Sequence, residues 1–187
     1  MRRFAAGLAP LAAALLLAGT AWSSAVTFEA RLGYFVPAGA GLRDVYKNGL
    51  TLGAELTVPL SRGLCAWAGV DYFHKDGKLT FTQEDTAIRI MPLFAGLKLQ
   101  SMAVSVRPYA AAAAGCFLYK ESNIIGTASG QRIGFLGQLG IAIRIKGPAW
   151  LDISTRYAWA KFTSGGEEPF TTQLGGFQAG LGAAVRF

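Results

Sequence analysis

Eight times between Val26 and Phe187, apolar and polar side chains alternate with a period of two, the spacing that sends successive residues to opposite faces of a β-strand. The sixth segment, Arg132 to Ile145, is the clearest. There Ile133, Phe135, Leu139, Ile141, Ile143 and Ile145 oppose Arg132, Gly134, Gln138, Gly140 and Arg144. A helix would scatter these residues round its circumference. The same pattern predicts strands over Val26 to Val36, Leu50 to Val58, Leu64 to Phe73, Leu151 to Trp159 and Phe177 to Phe187. In the fourth segment, Thr86 to Leu99, Ile88 and Ile90 oppose Arg89, but beyond Pro92 the apolar set is Leu93, Ala95, Leu97 and Leu99. That change of parity predicts a bulge near Met91 and Pro92. The fifth, Val104 to Tyr119, contains Ala110 to Ala114, which in isolation suits a helix, while Val104, Val106, Arg107, Pro108 and Tyr109 argue for a strand.

The connections alternate in length. Leu60 to Gly63, Gln100 to Ala103 and Lys146 to Ala149 are tight, whereas Pro37 to Gly49, His74 to Asp85, Lys120 to Gln131 and Phe162 to Thr172 are long. Alternation of this kind predicts an all-β, eight-stranded antiparallel up-and-down barrel, with every short turn and both termini at one end.

Residues 1–25 stand apart. Arg2 and Arg3 precede an apolar run, Leu11 to Leu17, that ends in the small residues Ser23, Ser24 and Ala25. This is the pattern of a cleavable signal peptide, too short in its apolar core for a membrane-spanning helix. Residues 26–187 then form one barrel domain. No later segment offers the roughly 20 apolar residues a membrane helix needs, yet the mean hydropathy is +0.34. Net charge falls from +7 to +5 once Arg2 and Arg3 are removed, and no run of like charges resembles a nucleic-acid-binding arm. Cys65 and Cys116 are the only cysteines, too few for a disulfide scaffold and not spaced as metal ligands. The cysteines predict two ordinary apolar residues.

The polar face decides between a soluble sandwich and a membrane barrel. Glu29, Arg31, Glu55, Asp71, Arg89, Arg107, Arg132, Arg144, Asp152, Arg156 and Arg186 all stand opposite Leu, Ile, Val and Phe within their strands. In lipid, backbone polar groups must pair internally, so a closed barrel is the β-structure that spans, with charge inside and apolar groups outside. Phe28 and Phe187 at one end, and Tyr34, Tyr72, Phe135, Tyr157, Trp159 and Phe177 toward the other, match two interfacial girdles. Many of the 24 glycines fall on the inward face, among them Gly33, Gly53, Gly134, Gly140 and Gly182, as a narrow interior requires. With Lys98, the expected lumen holds eight basic residues and four acidic ones, an excess of +4. Buried charge without a partner is costly. Arg–carboxylate pairs are therefore expected across the lumen, with surplus arginines on water, carbonyls or a bound anion.

Gly33-Tyr34-Phe35-Val36-Pro37, Arg43-Asp44-Val45-Tyr46, Arg107-Pro108-Tyr109 and the terminal Phe187 resemble the small outer-membrane β-barrel superfamily of OmpA-, OmpX- and OmpW-like proteins. The resemblance covers residues 26–187. It implies export to the outer membrane of a Gram-negative-type envelope, a structural or interaction role through extracellular loops, and no cofactor. It further implies contact with outer-membrane lipid and lipopolysaccharide, insertion by the barrel-assembly machinery reading Phe187, and a monomer. A small-solute or anion channel of OmpW-like type is the second expectation.

A lipid A-modifying barrel enzyme is the third. His74, the one histidine, could act as a general base. It lacks the nearby strand-borne serine of lipid A deacylase-like barrels, so no catalytic residue is expected. Gly175-Gly176 and Gly180-x-Gly182 have no following helix, and the dinucleotide reading fails.

Overall fold

A computed structural model describes residues 26–78, 84–123, 126–163 and 171–187. The expected signal peptide lies outside them. The chain forms β1 (Thr27–Pro37), a short helix α1 (Ala40–Tyr46), β2 (Gly49–Ser61), β3 (Leu64–Lys78), β4 (Asp85–Gln100), β5 (Val106–Asn123), β6 (Gly126–Lys146) and β7 (Ala149–Trp159). Two three-residue strands follow, β8 (Lys161–Thr163) and β9 (Thr171–Gln173), before β10 (Gly176–Arg186). Every neighbour in the order β1-β10-β7-β6-β5-β4-β3-β2 is paired antiparallel, and the ring closes through β1 with β2; β8 and β9 pair only with each other.

Closure fixes the tilt of the strands. From Ile90 the ladder runs through Phe73, Thr51, Gly33, Gly180, Ser154, Gly140 and Tyr109 to reach β4 again at Gln100, ten residues further along. A stagger of this size in eight strands inclines them by about 40° to the barrel axis. The interior is then just wide enough for its own side chains.

At one end, here the turn end, the connections are tight. Gly63 and Gly147 take φ of 80° and 57°, the left-handed conformation that reverses the chain in so few residues. At the other, the loop end, strands run on into two of the connections expected to be long. β3 runs to Lys78 and β4 begins at Asp85, while β5 and β6 pair as far as Asn123 with Gly126. Lys75, Asp76, Gly77, Ser122 and Ser129 look like loop composition, but they extend the ladders beyond the apolar band, where polar side chains on both faces meet no penalty.

The predicted bulge at Met91 and Pro92 is absent. Pairing of β4 with β5 is regular from Thr86 with Asn123 to Gln100 with Tyr109. Parity never changes, so Ile88 and Ile90 point inward, 2% and 3% exposed, and Arg89 points outward. The physical reason is that the loop end of the interior is itself apolar, so an isoleucine there obeys the same burial rule as one facing lipid. The alanine run of β5 is strand throughout: paired on both edges, Ala111 and Ala113 pack inward against Trp67, Phe94 and Leu136. Tertiary pairing overrides the helical preference of alanine. Irregular register occurs instead at the turn end, between Pro59 and Ser61 and between Arg144 and Lys146.

The outward face carries the exposed apolar side chains, including Leu32, Leu52, Leu97, Leu139, Ile141 and Leu181. Toward the loop end it shows Tyr34, Tyr72, Phe135, Tyr157, Trp159 and Phe177, which the tilt and register place within roughly 5 Å of one level. Phe28 and Phe187 are exposed near the turn end. The apolar band between the two sets is roughly 20 Å tall.

Candidate functional site in the closed lumen

The middle of the interior is a compact charge network. Arg156, on β7, donates through Nη1 to both oxygens of Asp71 on β3, at 3.0 and 2.7 Å, and through Nη2 to Glu55 on β2 at 2.6 Å. Arg31, on β1, uses Nη2 against Glu55 at 2.8 Å, Asp152 at 3.3 Å and its strand neighbour Glu29. Lys98, on β4, lies 3.5 Å from Glu55 and donates to Thr57 at 3.3 Å. All seven charged side chains are buried, as is Thr57. Alternation in each strand delivers them inward, and the ring of eight strands sets them face to face.

Small residues make room. A side chain at Gly53 would meet the Asp71 carboxylate, and one at Gly140 would fall 2.5 Å from the Tyr109 ring. Tyr109 in turn donates its hydroxyl to Asp152 at 2.9 Å and accepts from Gln138 Nε2 at 2.7 Å. Trp67 gives its indole N–H to Leu97 O at 3.2 Å, while its ring faces Lys98 and Arg156 at 5.4 and 5.9 Å.

The balance of charge differs from the expected excess of +4. Three cations, Arg31, Lys98 and Arg156, meet four carboxylates, Glu29, Glu55, Asp71 and Asp152. The remaining arginines lie elsewhere. Arg107, Arg144 and Arg186 sit at the turn end, where the lumen opens. Arg107 Nε donates to Ala103 O at 2.7 Å with its guanidinium 4.6 Å from the Trp150 ring, and Arg144 Nε donates to Gly147 O at 3.2 Å. Arg107 and Arg186 line a cavity of about 40 Å³ with Lys98, Glu29 and Asp152. Arg132 stands at the loop end and donates to Gln131 O at 3.0 Å. Arg89 belongs to the outer face and leaves the network altogether.

Above the charged layer lies an apolar one that the alternation pattern does not reveal. Phe35, Phe73, Ile88, Ile90, Phe117 and Leu174 form one buried cluster, closed on top by Leu42 and Tyr46 of α1. Phe35 and Phe73 meet edge to face at 5.1 Å. The Tyr46 hydroxyl donates to Glu121 Oε1 at 2.7 Å and lies 2.8 Å from Thr86 Oγ1, which anchors the helix across the mouth. Burial pushes the Tyr46 phenol pKa well above its usual value. The signal in the sequence is the spacing of Leu42, Val45 and Tyr46, one face of a single helical turn inside an expected loop. Between the two layers a cavity of about 30 Å³ touches Asp71, Arg156, Phe73 and Ile90. Cavities of this size suit ordered water rather than a ligand.

His74 does not enter the lumen. Its ring is on the outward face, with Nδ1 3.2 Å from Ile88 O and Nε2 3.7 Å from Asp76 Oδ1. Cys65, inward, and Cys116 are free.

No protein-family model matches the sequence, and no curated protein matches it either. The fold has solved counterparts. The outer membrane protein OprG from Pseudomonas aeruginosa superposes with a TM-score of 0.69 at 12% identity, over 88% of this chain and 96% of that one. Neisserial surface protein A gives 0.59 at 15% identity, over 88% and 97%. Outer Membrane Protein W of E. coli gives 0.52 at 18% identity, over 89% and 100%. The architecture is that of the small eight-stranded outer-membrane barrels.

Proposed function

We propose that this barrel sits in an outer membrane as a non-conducting protein whose business is done at its outer surface and loop end. The observation that carries the reading is the double closure of the lumen: a charge-paired layer in the middle and an apolar layer beneath α1, inside a wall that is apolar outward. Export by residues 1–25, insertion through the barrel-assembly machinery acting on Phe187, and a monomeric state belong to the same proposal. With the termini in the periplasm, the loop end faces out of the cell.

The test joins three measurements on one preparation. Detergent-purified protein should migrate differently on gels before and after boiling; planar bilayers containing it should show no steps above background; and protease added to intact cells should cut at the loop end only. Conductance steps would favour the second reading, a small-solute or anion channel, for which the turn-end arginines Arg107 and Arg186 offer a cationic entrance. A third reading, a lipid A-modifying hydrolase using His74, finds beside that ring only Ile88 O and the Asp76 carboxylate as polar partners among the described residues. Unchanged lipid A in His74→Ala cells is the expected result.

A further inference from the structure

The parity of β4 puts a cation where the alternation pattern had none. Arg89 lies directly across the ladder from His74 on β3 and from Lys120 on β5, and all three side chains point outward. Charges of one sign directly opposite each other on a sheet repel. Among the described residues the one carboxylate close to the row is Asp76, an exposed side chain that reaches His74 at 3.7 Å. The next outward row toward the loop end holds Asp76, Ala87 and Ser122, and the next toward the turn end holds Met91 and Leu118. Arg89 and Lys120 thus stand side by side as cations in one strip, bordered by neutral side chains toward the turn end and on the β5 side, with the single carboxylate of Asp76 at the His74 end.

Its height gives it a partner. Strands 4.8 Å apart, inclined by about 40°, climb roughly 3 Å from each to the next. His74 is lowest, Arg89 stands above it, and Lys120 is roughly 6 Å above His74 toward the loop end. Tyr72, two residues below His74 on β3 and stacked against it at 6.5 Å, belongs to the aromatic girdle. A girdle aromatic marks the boundary between acyl chains and headgroups. The strip thus begins at the level where phosphate groups of the outer leaflet lie.

We propose that His74, Arg89 and Lys120 form a binding strip for the phosphate groups of a phosphorylated lipid in the outer leaflet. The acyl chains of that lipid lie along Tyr72, Met91 and Leu118, and its phosphate oxygens accept hydrogen bonds from the Arg89 guanidinium, the Lys120 ammonium and an N–H of His74. The inference rests on the outer-membrane reading above, and its test separates the two.

The folded chain is reconstituted in phosphatidylcholine nanodiscs doped with bis-phosphorylated lipid A or with its dephosphorylated counterpart, and native mass spectrometry counts the glycolipid retained. Insertion and heat-modifiable migration report on the membrane reading independently. Phosphorylated lipid A should be retained in preference to the dephosphorylated form. Arg89→Gln with Lys120→Gln should weaken retention about thirtyfold, each charge near the surface contributing roughly fivefold. Arg89→Lys with Lys120→Arg should restore it, and Lys146→Gln at the opposite rim should leave it unchanged. Equal retention of both lipids by the inserted wild-type chain, or undiminished retention by the double glutamine variant, overturns the strip. Complete displacement by millimolar inorganic phosphate overturns the lipid assignment in favour of a free anion.

Discussion

Arg156→Met is expected to destabilise the folded barrel by about 3–5 kcal/mol, the cost of leaving buried carboxylates without their counterion. Arg156 holds Asp71 through two short hydrogen bonds and Glu55 through a third, and all three groups are buried. Glu55 keeps Arg31 at 2.8 Å and Lys98 at 3.5 Å, so the stranded group is Asp71. Its desolvation is then opposed by no direct partner. The double change Arg156→Met with Asp71→Leu should recover most of the loss, because replacing a buried ion pair by apolar groups of similar volume is often neutral or better. Equilibrium urea unfolding from liposomes measures both. A single variant as stable as wild type would mean that water reaches Asp71 freely and the middle layer is not closed.

Leu139→Arg is expected to cost about 2–4 kcal/mol, and Ile133→Arg about 0–1 kcal/mol, the depth dependence of a charge on a lipid-facing wall. The two residues share β6 and the outward face, at 63% and 80% exposure. In water, both substitutions would land on open surface and neither would matter. In a bilayer, Leu139 lies deep in the apolar band, while Ile133 sits above the aromatic girdle near the level of His74. Unfolding titrations in the same liposomes read the difference. Gln138, the polar neighbour of Leu139, is no benign control. It is buried, bonded to Tyr109 and paired across the ladder with Arg156, so an arginine there would place two guanidinium groups side by side.

Period-two alternation makes the barrel legible wherever the outward face is apolar and the inward face charged. In β1, β2, β6, β7 and β10 the expected outward residues are the outward residues. The reading failed at the loop end, for one reason. There the interior turns apolar, and hydropathy no longer distinguishes inside from outside. Alternation alone turns Ile88 and Ile90 outward, needs a bulge to reconcile them with Leu93, and draws Arg89 into a network it does not join. Pairing with β3 and β5 settles the matter, and pairing is a long-range fact that a single segment does not carry. The network members Glu29, Arg31, Glu55, Asp71, Asp152 and Arg156 were visible as charges within strands, but which arginine meets which carboxylate depends on the stagger of ten residues round the ring. Tyr109, Gln138 and Thr57 are uncharged, so alternation alone does not tie them to the network, though Tyr109 donates to Asp152, Gln138 donates to Tyr109 and Thr57 accepts from Lys98. The lid formed by Leu42 and Tyr46 was hidden by the assumption that a loop has no inside.

A nitroxide placed one at a time at Leu32, Leu97, Leu139 and Leu181, on four different strands, tests most directly whether this wall faces acyl chains. In liposomes each label should relax with dissolved oxygen far more than with a water-soluble nickel chelate. Dominance of the nickel chelate at these four sites would contradict the account.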